Sequence, residues 1–190
     1  KKLELSKEEF IEIYRFCTSI GIKFLSTPFD NSSLKILDQF DMDFIKVASG
    51  EITNYPFLIE ISKRNKPIIF STGMSTLEEI KDTLTVFTIN GINKEIITIL
   101  QCNTQYPTPY DDVNLNAMQE MKARFGTKVG FSDHTLGIEA SLAAVAMGAS
   151  IIEKHFTMDN NLPGPDHKAS LNPYQLNDLV NSIRNIETSF

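Results

Sequence analysis

Short apolar runs rich in β-branched and aromatic residues alternate along the chain with longer segments whose apolar residues recur at helical spacing. Six runs stand out, at residues 23–26, 44–47, 67–70, 96–100, 128–131 and 150–153, and each reads as a buried strand. Between them Leu58, Ile59 and Ile61, then Leu77, Ile80 and Leu84, then Leu142, Val145 and Ala146 mark the apolar faces of amphipathic helices. Strand starts fall roughly 20 to 30 residues apart, the period of a βαβ unit. The chain is therefore α/β. This alternation fits an open doubly wound sheet as well as a (β/α)₈ barrel.

Local signals place the helix ends. Ser6 with Glu9, and Ser75 with Glu78, have the spacing of capping boxes. Pro173 opens the last helix, whose apolar stripe runs through Leu176, Leu179 and Ile183. No repeat, low-complexity tract or Gly/Ser linker divides the chain, so residues 1–190 read as one domain.

Composition narrows the function classes. Of 190 residues 42% are hydrophobic and 22% charged, enough for one sizeable core. A formal charge of −6 offers no basic field for nucleic acid or an anionic membrane, so an anionic ligand would need local positive charge. No apolar stretch is long enough to span a bilayer. Cys17 and Cys102 have neither metal-type nor disulfide-framework spacing, and a reducing cytoplasm is expected.

The polar residues repeat more tellingly. Nearly every expected strand ends in groups unsuited to a core: Ser26 and Thr27, Lys46 and Ser49, Ser71, Asn103, Ser132 and His134, Lys154 and His155. In a parallel barrel these ends converge on the face where active sites are built. Any single serine there could simply cap a helix, but six ends in series point to a site. Lys46 and Lys154 need anionic partners so close to strand interiors. His134 and His155 end consecutive strands and would lie side by side, as ligands of a divalent ion such as Mn²⁺ or Zn²⁺, or as structural or acid/base histidines.

Two loops add candidates. Residues 103–109 carry two prolines that stiffen a loop presenting Tyr106. Residues 162–167, Leu-Pro-Gly-Pro-Asp-His, either form a turn before the last helix or bring Asp166 and His167 over the barrel mouth.

Seven ordered motifs then match a known family: Ser26-Thr27-Pro28-Phe29, Ala48-Ser49-Gly50-Glu51, Ser71-Thr72-Gly73-Met74, Tyr106-Pro107-Thr108-Pro109, Ser132-Asp133-His134-Thr135, Glu153-Lys154-His155-Phe156 and Gly164-Pro165-Asp166-His167. In order and spacing they resemble the sialic acid synthases. That resemblance implies a (β/α)₈ TIM barrel. It further implies Mn²⁺ as cofactor, with Mg²⁺ or Co²⁺ as alternatives. The implied reaction condenses phosphoenolpyruvate with an N-acylated mannosamine-like sugar to a nine-carbon α-keto acid, with release of phosphate. Carried over motif by motif, His134 and His155 are the expected metal ligands and, with Lys46, the catalytic set. Thr27, Lys46, Ser49, Ser71, Asn103 and Ser132 are expected to cradle phosphoenolpyruvate. Glu51, Tyr106 and Asp166 are expected to hold the sugar. Lys154 and His167 match motif positions without an assigned role.

Whole members of that family begin with two further strands and end in a small antifreeze-like domain that reaches into a partner's active site. The chain is thus expected to be a central barrel portion, strands three to eight, of a cytoplasmic homodimeric enzyme, and inactive alone. Within the family, residues 164–171 and the opening Lys2-Leu3-Glu4-Leu5 look closer to legionaminic acid synthases than to N-acetylneuraminate synthases. Two rivals remain on the residues alone: a metal-dependent or Schiff-base aldolase using Lys46, and a sugar-phosphate-binding fragment without catalysis.

Overall fold

The computed structural model describes residues 5–190, so the opening stretch, Leu5 apart, lies outside the described residues. The elements run α1 (Lys7–Ser19), α2 (Asn31–Leu37), β1 (Ile45–Val47), α3 (Tyr55–Ser62), β2 (Ile68–Ser71), α4 (Leu77–Ile89), β3 (Ile97–Cys102), α5 (Asn116–Phe125), β4 (Lys128–Asp133), α6 (Glu139–Ala146), β5 (Ile152–Lys154) and α7 (Pro173–Glu187).

The five strands pair in chain order, β1-β2-β3-β4-β5, and every pair is parallel. Each crossover between adjacent parallel strands carries a helix back over the sheet with a common handedness, so unbroken sequential order stacks the helices on one face. This winding matches a barrel and departs from the doubly wound alternative, whose strand order reverses.

Period-two alternation sorts the strand residues. Ile45, Val47, Ile68, Phe70, Ile97, Ile99, Val129 and Phe131 join Leu58, Ile61, Ile80, Leu84, Phe87, Met118 and Ala144 from the helices in the main core. The opposite row holds Lys46, Ser71, Cys102, Ser132 and Glu153, so the polar strand ends lie on the side away from the helices. Gly130 belongs to that row. A Cβ there would come 2.6 Å from Leu100 Cδ2 and 2.5 Å from the Ile151 carbonyl oxygen, which excludes any side chain.

Several expectations need correction. Residues 23–26 form no strand: the segment carries no ladder to β1, and Leu25 within it and Ile22 just before it are exposed. Phe24 turns instead into a separate small cluster with Phe10, Tyr14, Leu37, Phe40 and Met42. Among the described residues five strands are therefore seen where six were expected. The capping box of α4 lies one residue later than Ser75. Thr76 Oγ1 accepts from Glu79 N at 3.2 Å while Glu79 Oε2 accepts from Thr76 N at 2.7 Å. The sequence offers both registers, and the Ser75 hydroxyl is engaged by the Gly73 carbonyl. In α6 the buried residues are Ala140, Ser141 and Ala144, because small side chains let this helix approach β4; Leu142 and Val145 sit only partly covered. Ile59 of α3 is exposed, while Leu58 and Ile61 are fully buried. The Ser6/Glu9 box, Pro173 at the head of α7 and buried Leu179 are as expected. No described helix is long and apolar enough to cross a membrane.

Candidate active site

At the C-terminal ends of the strands Lys46, Ser71, Cys102, Ser132 and Glu153 line a hollow of about 490 Å³. Thr27, Phe29, Ser49, Met74, Thr104, Tyr106, His134 and His155 complete its wall from the following loops. A larger hollow of about 700 Å³ lies at the opposite end, among Lys122, Gly126 and Gly148, but it gathers no comparable mixture of cation, hydroxyls and imidazoles. Chemistry, not size, selects the first.

One side of the hollow is set by Lys46, which is 5% exposed. Its Nζ lies 3.4 Å from Glu153 Oε2, and Ser132 Oγ donates to Glu153 Oε1 at 2.6 Å. Ser49 Oγ accepts from the Gly73 N–H at 2.9 Å, and a Cβ on Gly73 would come 3.0 Å from that oxygen, so the glycine lets the two loops meet. Ser71 Oγ is buried with no hydrogen-bond partner. A buried hydroxyl left unpaired is costly, and one facing a polar hollow marks a place for a ligand atom.

The other side is aromatic. The His134 and His155 rings lie 5.3 Å apart between centroids, and the Tyr106 ring sits 3.9 Å from His134 and edge-on to His155 at 5.6 Å. His134 Nδ1 is 2.7 Å from the Asn103 carbonyl oxygen. A carbonyl only accepts, so Nδ1 carries the proton and Nε2 keeps the lone pair. Burial is the main influence on His134 and pushes its pKa down, favouring the neutral ring; the Asn103 bond opposes this. Burial likewise pushes the Tyr106 phenol and the Cys102 thiol up, so both stay protonated at neutral pH. Among the described residues no group of three or more His, Cys, Asp or Glu could enclose a metal. The donor set is thus an open pair of imidazoles, which suits a borderline divalent ion whose other positions go to water or substrate.

Eight residues anticipated from sequence line this hollow: Thr27, Lys46, Ser49, Ser71, Tyr106, Ser132, His134 and His155. Three do not. Asn103 turns away, its Nδ2 donating to the Asp112 carbonyl at 2.7 Å, because the side chain after Cys102 falls on the opposite face. Thr104 takes the place in the wall. Glu51 accepts from Asn54 Nδ2 within its own turn at 2.8 Å. Asp166 is exposed in the 162–167 loop, which is folded back on its neighbours: Asn160 Nδ2 donates to the carbonyls of His167 and Ser170, both at 2.8 Å, and the Thr157 hydroxyl meets His167 Nδ1 at 2.7 Å. Glu153 was given no role from the sequence. Its position two residues before His155, hence on the same strand face, was the signal.

Lys154 faces the helices, where its Nζ lies 2.9 Å from Asp133 Oδ2, with side-chain exposures of 4% and 0%. The anionic partner expected for it is thus a neighbour on β4.

Comparisons agree with this geometry. The NeuB family model matches residues 1–190. N,N'-diacetyllegionaminic acid synthase of Campylobacter jejuni is 51% identical over 98% of this chain and 56% of its own length. The enzyme of the same name from Legionella pneumophila is 46% identical over 99% of the chain and 53% of its own length. The chain therefore spans about half the length of these relatives. Among solved structures, N-acetylneuraminic acid synthetase from Leptospira borgpetersenii superposes with a TM-score of 0.92 at 34% identity, covering 97% of this chain and 64% of that one. A sequential parallel sheet with its polar strand ends gathered at one mouth, matched along its whole length by one family model, leaves a single assignment: the chain belongs to the NeuB family.

Proposed function

We propose that the chain forms the catalytic core of a nonulosonate synthase that joins phosphoenolpyruvate to an N-acylated amino sugar. The observation that carries this reading is the convergence of Lys46, three serine hydroxyls and the histidine pair on one hollow at the strand ends. Lys46 with Ser49, Ser71 and Ser132 supplies charge-assisted and neutral hydrogen bonds for the phosphate and carboxylate of phosphoenolpyruvate. The partnerless Ser71 hydroxyl supports that role. Thr27 and Thr104 extend the same wall.

His134 and His155 would hold the divalent ion, Mn²⁺ first among candidates. When bound, such an ion polarises the aldehyde of the open-chain sugar. Tyr106, packed over both imidazoles, offers an aromatic face and a phenol hydroxyl to position that sugar. Glu153 fixes the Ser132 hydroxyl and gives the hollow a proton acceptor beside Lys46. The bond changes balance: C3 of phosphoenolpyruvate bonds to the aldehyde carbon while the C2=C3 and aldehyde π bonds break, and water gives one proton to the former aldehyde oxygen and its hydroxide to C2. The C2–oxygen bond to phosphate then breaks, the phosphate leaving with the remaining proton and C2 becoming the ketone of an α-keto acid.

The sugar is proposed to be a 6-deoxy-2,4-diacetamido compound, since the two legionaminic acid synthases are 51% and 46% identical to the chain while the N-acetylneuraminic acid synthetase is 34% identical. The test is phosphate release by the complete protein given phosphoenolpyruvate, Mn²⁺ and either that sugar or N-acetylmannosamine. Release with the diacetamido sugar alone is expected. Release with N-acetylmannosamine alone overturns the substrate; release with neither overturns the synthase reading. Turnover by the 190 residues alone would refute the expectation that segments beyond them complete the site.

A further inference from the structure

The register of β4 and β5 runs Phe131 with Ile152, Ser132 with Glu153, and Asp133 with Lys154, and the ladder ends there. His134 and His155 are the next residue on each strand. Their separation therefore depends on whatever holds the two chains just past the last ladder pair. β5 has only three residues, and within the sheet its pairing is with β4 alone.

From the last ladder pair, on the face toward the helices, the Lys154 side chain ties the two strands together. Lys154 Nζ lies 2.9 Å from Asp133 Oδ2 and donates to the Thr135 carbonyl at 2.7 Å. Asp133 and Thr135 are the residues on either side of His134, and Lys154 immediately precedes His155. The group is anchored from behind: Asp133 Oδ1 accepts from the Thr135 N–H at 2.8 Å and Oδ2 from the Ser141 hydroxyl of α6 at 2.6 Å. Asp133, Thr135 and Ser141 are each fully buried.

A buried ion pair adds little net stability over well-packed apolar residues, because desolvating both charges offsets their attraction. What it supplies is direction, since each bond holds only at one angle and distance. We infer that Lys154 and Asp133 are positioning residues that fix the spacing and mutual orientation of His134 and His155 from the far side of the sheet. This rests on the histidine pair being the metal-binding element of the proposed site; the residues themselves touch neither metal nor substrate.

The experiment uses the complete protein and the double variant Asp133→Asn/Lys154→Met, which removes both charges together and leaves no unpaired charge. Two quantities are read: Mn²⁺ affinity, from the electron paramagnetic resonance signal of free Mn²⁺, and contacts between the His134 and His155 ring protons by NMR. The double variant is expected to melt within a few degrees of the parent, to lose the inter-ring contacts, and to bind Mn²⁺ roughly ten- to a hundredfold more weakly, the range for residues that orient metal ligands. Retained ring contacts together with affinity within twofold would overturn the inference. If the double variant does not fold, Ser141→Ala decides. It removes only the anchor on Asp133, and should weaken Mn²⁺ binding severalfold and broaden the ring contacts; no change in either overturns the inference. A parent chain that binds no Mn²⁺ sinks the metal reading instead, and the ring contacts alone then judge the positioning role.

Discussion

Lys46 and Lys154 stand at the ends of parallel strands, both largely buried, yet they belong to different halves of the molecule. Lys154 looks toward the helices, where its ammonium meets a carboxylate with no exposure at all and a backbone carbonyl besides. Lys46 looks into the hollow, where its nearest carboxylate, Glu153, keeps 42% of its side chain in solvent and lies 3.4 Å away. The first lysine is saturated; the second has donor capacity left over. Strand parity separates them, and for this pair it separates structure from chemistry: Lys154 has completed its hydrogen bonding within the fold, and Lys46 has not.

The largest test of this contrast is the single substitution Lys154→Met. It strands Asp133 as an unpaired charge in the interior, and breaking a buried pair in this way costs about 3–5 kcal/mol. Chemical denaturation should show that loss, and the double variant with Asp133→Asn should recover most of it. A single variant within about 1 kcal/mol of the parent would mean that water reaches Asp133, since an exposed pair is worth no more than that.

Acid should find a weak point on the other face, at His134. Burial depresses its folded pKa, whereas the unfolded chain titrates at the ordinary imidazole value of about 6.5. Between those two values the unfolded state holds the extra proton. The neutral ring thus contributes stability that is present above pH about 6.5 and is lost as pH falls through the folded value. Melting curves from pH 7 down to pH 5 should decline in the parent and flatten in His134→Gln. An unchanged slope would remove the desolvation argument.

Lys46→Met should be milder for the fold and severe for the ligand. Glu153 is hydrated enough to stand unpaired, so stability should change by only about 1 kcal/mol. Loss of the cation should abolish phosphoenolpyruvate binding measured by calorimetry, while Mn²⁺ binding at the histidine pair persists. A variant that binds both equally well would take Lys46 out of the anion cradle.

How much of this was legible in the sequence follows from the same parity. The apolar runs from Ile45 to Ile152 became strands because each found a neighbour on the next edge. Residues 23–26, half apolar like 150–153, did not, because a strand is defined by its partner as much as by its own composition. The cavity-lining serines, Lys46 and the histidines could be seen as polar groups at strand ends. Asn103 could be seen as a polar strand end too, and the family resemblance assigned it to the cradle. Counting in twos from Cys102 reaches Thr104 and Tyr106 instead, and counting back from His155 reaches Glu153. Loop residues such as Glu51 and Asp166 escape any such count. Their directions are set by local bonds, to Asn54 in one case and through the folded-back 159–170 segment in the other, that no periodicity encodes.

The smallest effect gives the cleanest check on a one-residue shift. Ser75 and Thr76 each stand three residues before a glutamate, and either could head α4 by spacing alone. Thr76 holds extended backbone angles, φ −80° and ψ 158°, and exchanges hydrogen bonds with Glu79 in both directions, whereas the Ser75 hydroxyl turns back to the Gly73 carbonyl. Removing the hydroxyl that satisfies a free N–H of the first turn costs typically about 1 kcal/mol, so Thr76→Ala should lower the unfolding midpoint by that amount. Ser75→Ala gives up only a 3.3 Å bond to a carbonyl beside the hollow and should fall within about 0.5 kcal/mol of the parent. If the two effects were exchanged, the helix would start one residue earlier. The turn carrying Gly73 and Met74 past Ser49 would then be a residue shorter, too tight for the Gly73 N–H to reach the serine hydroxyl that it now orients.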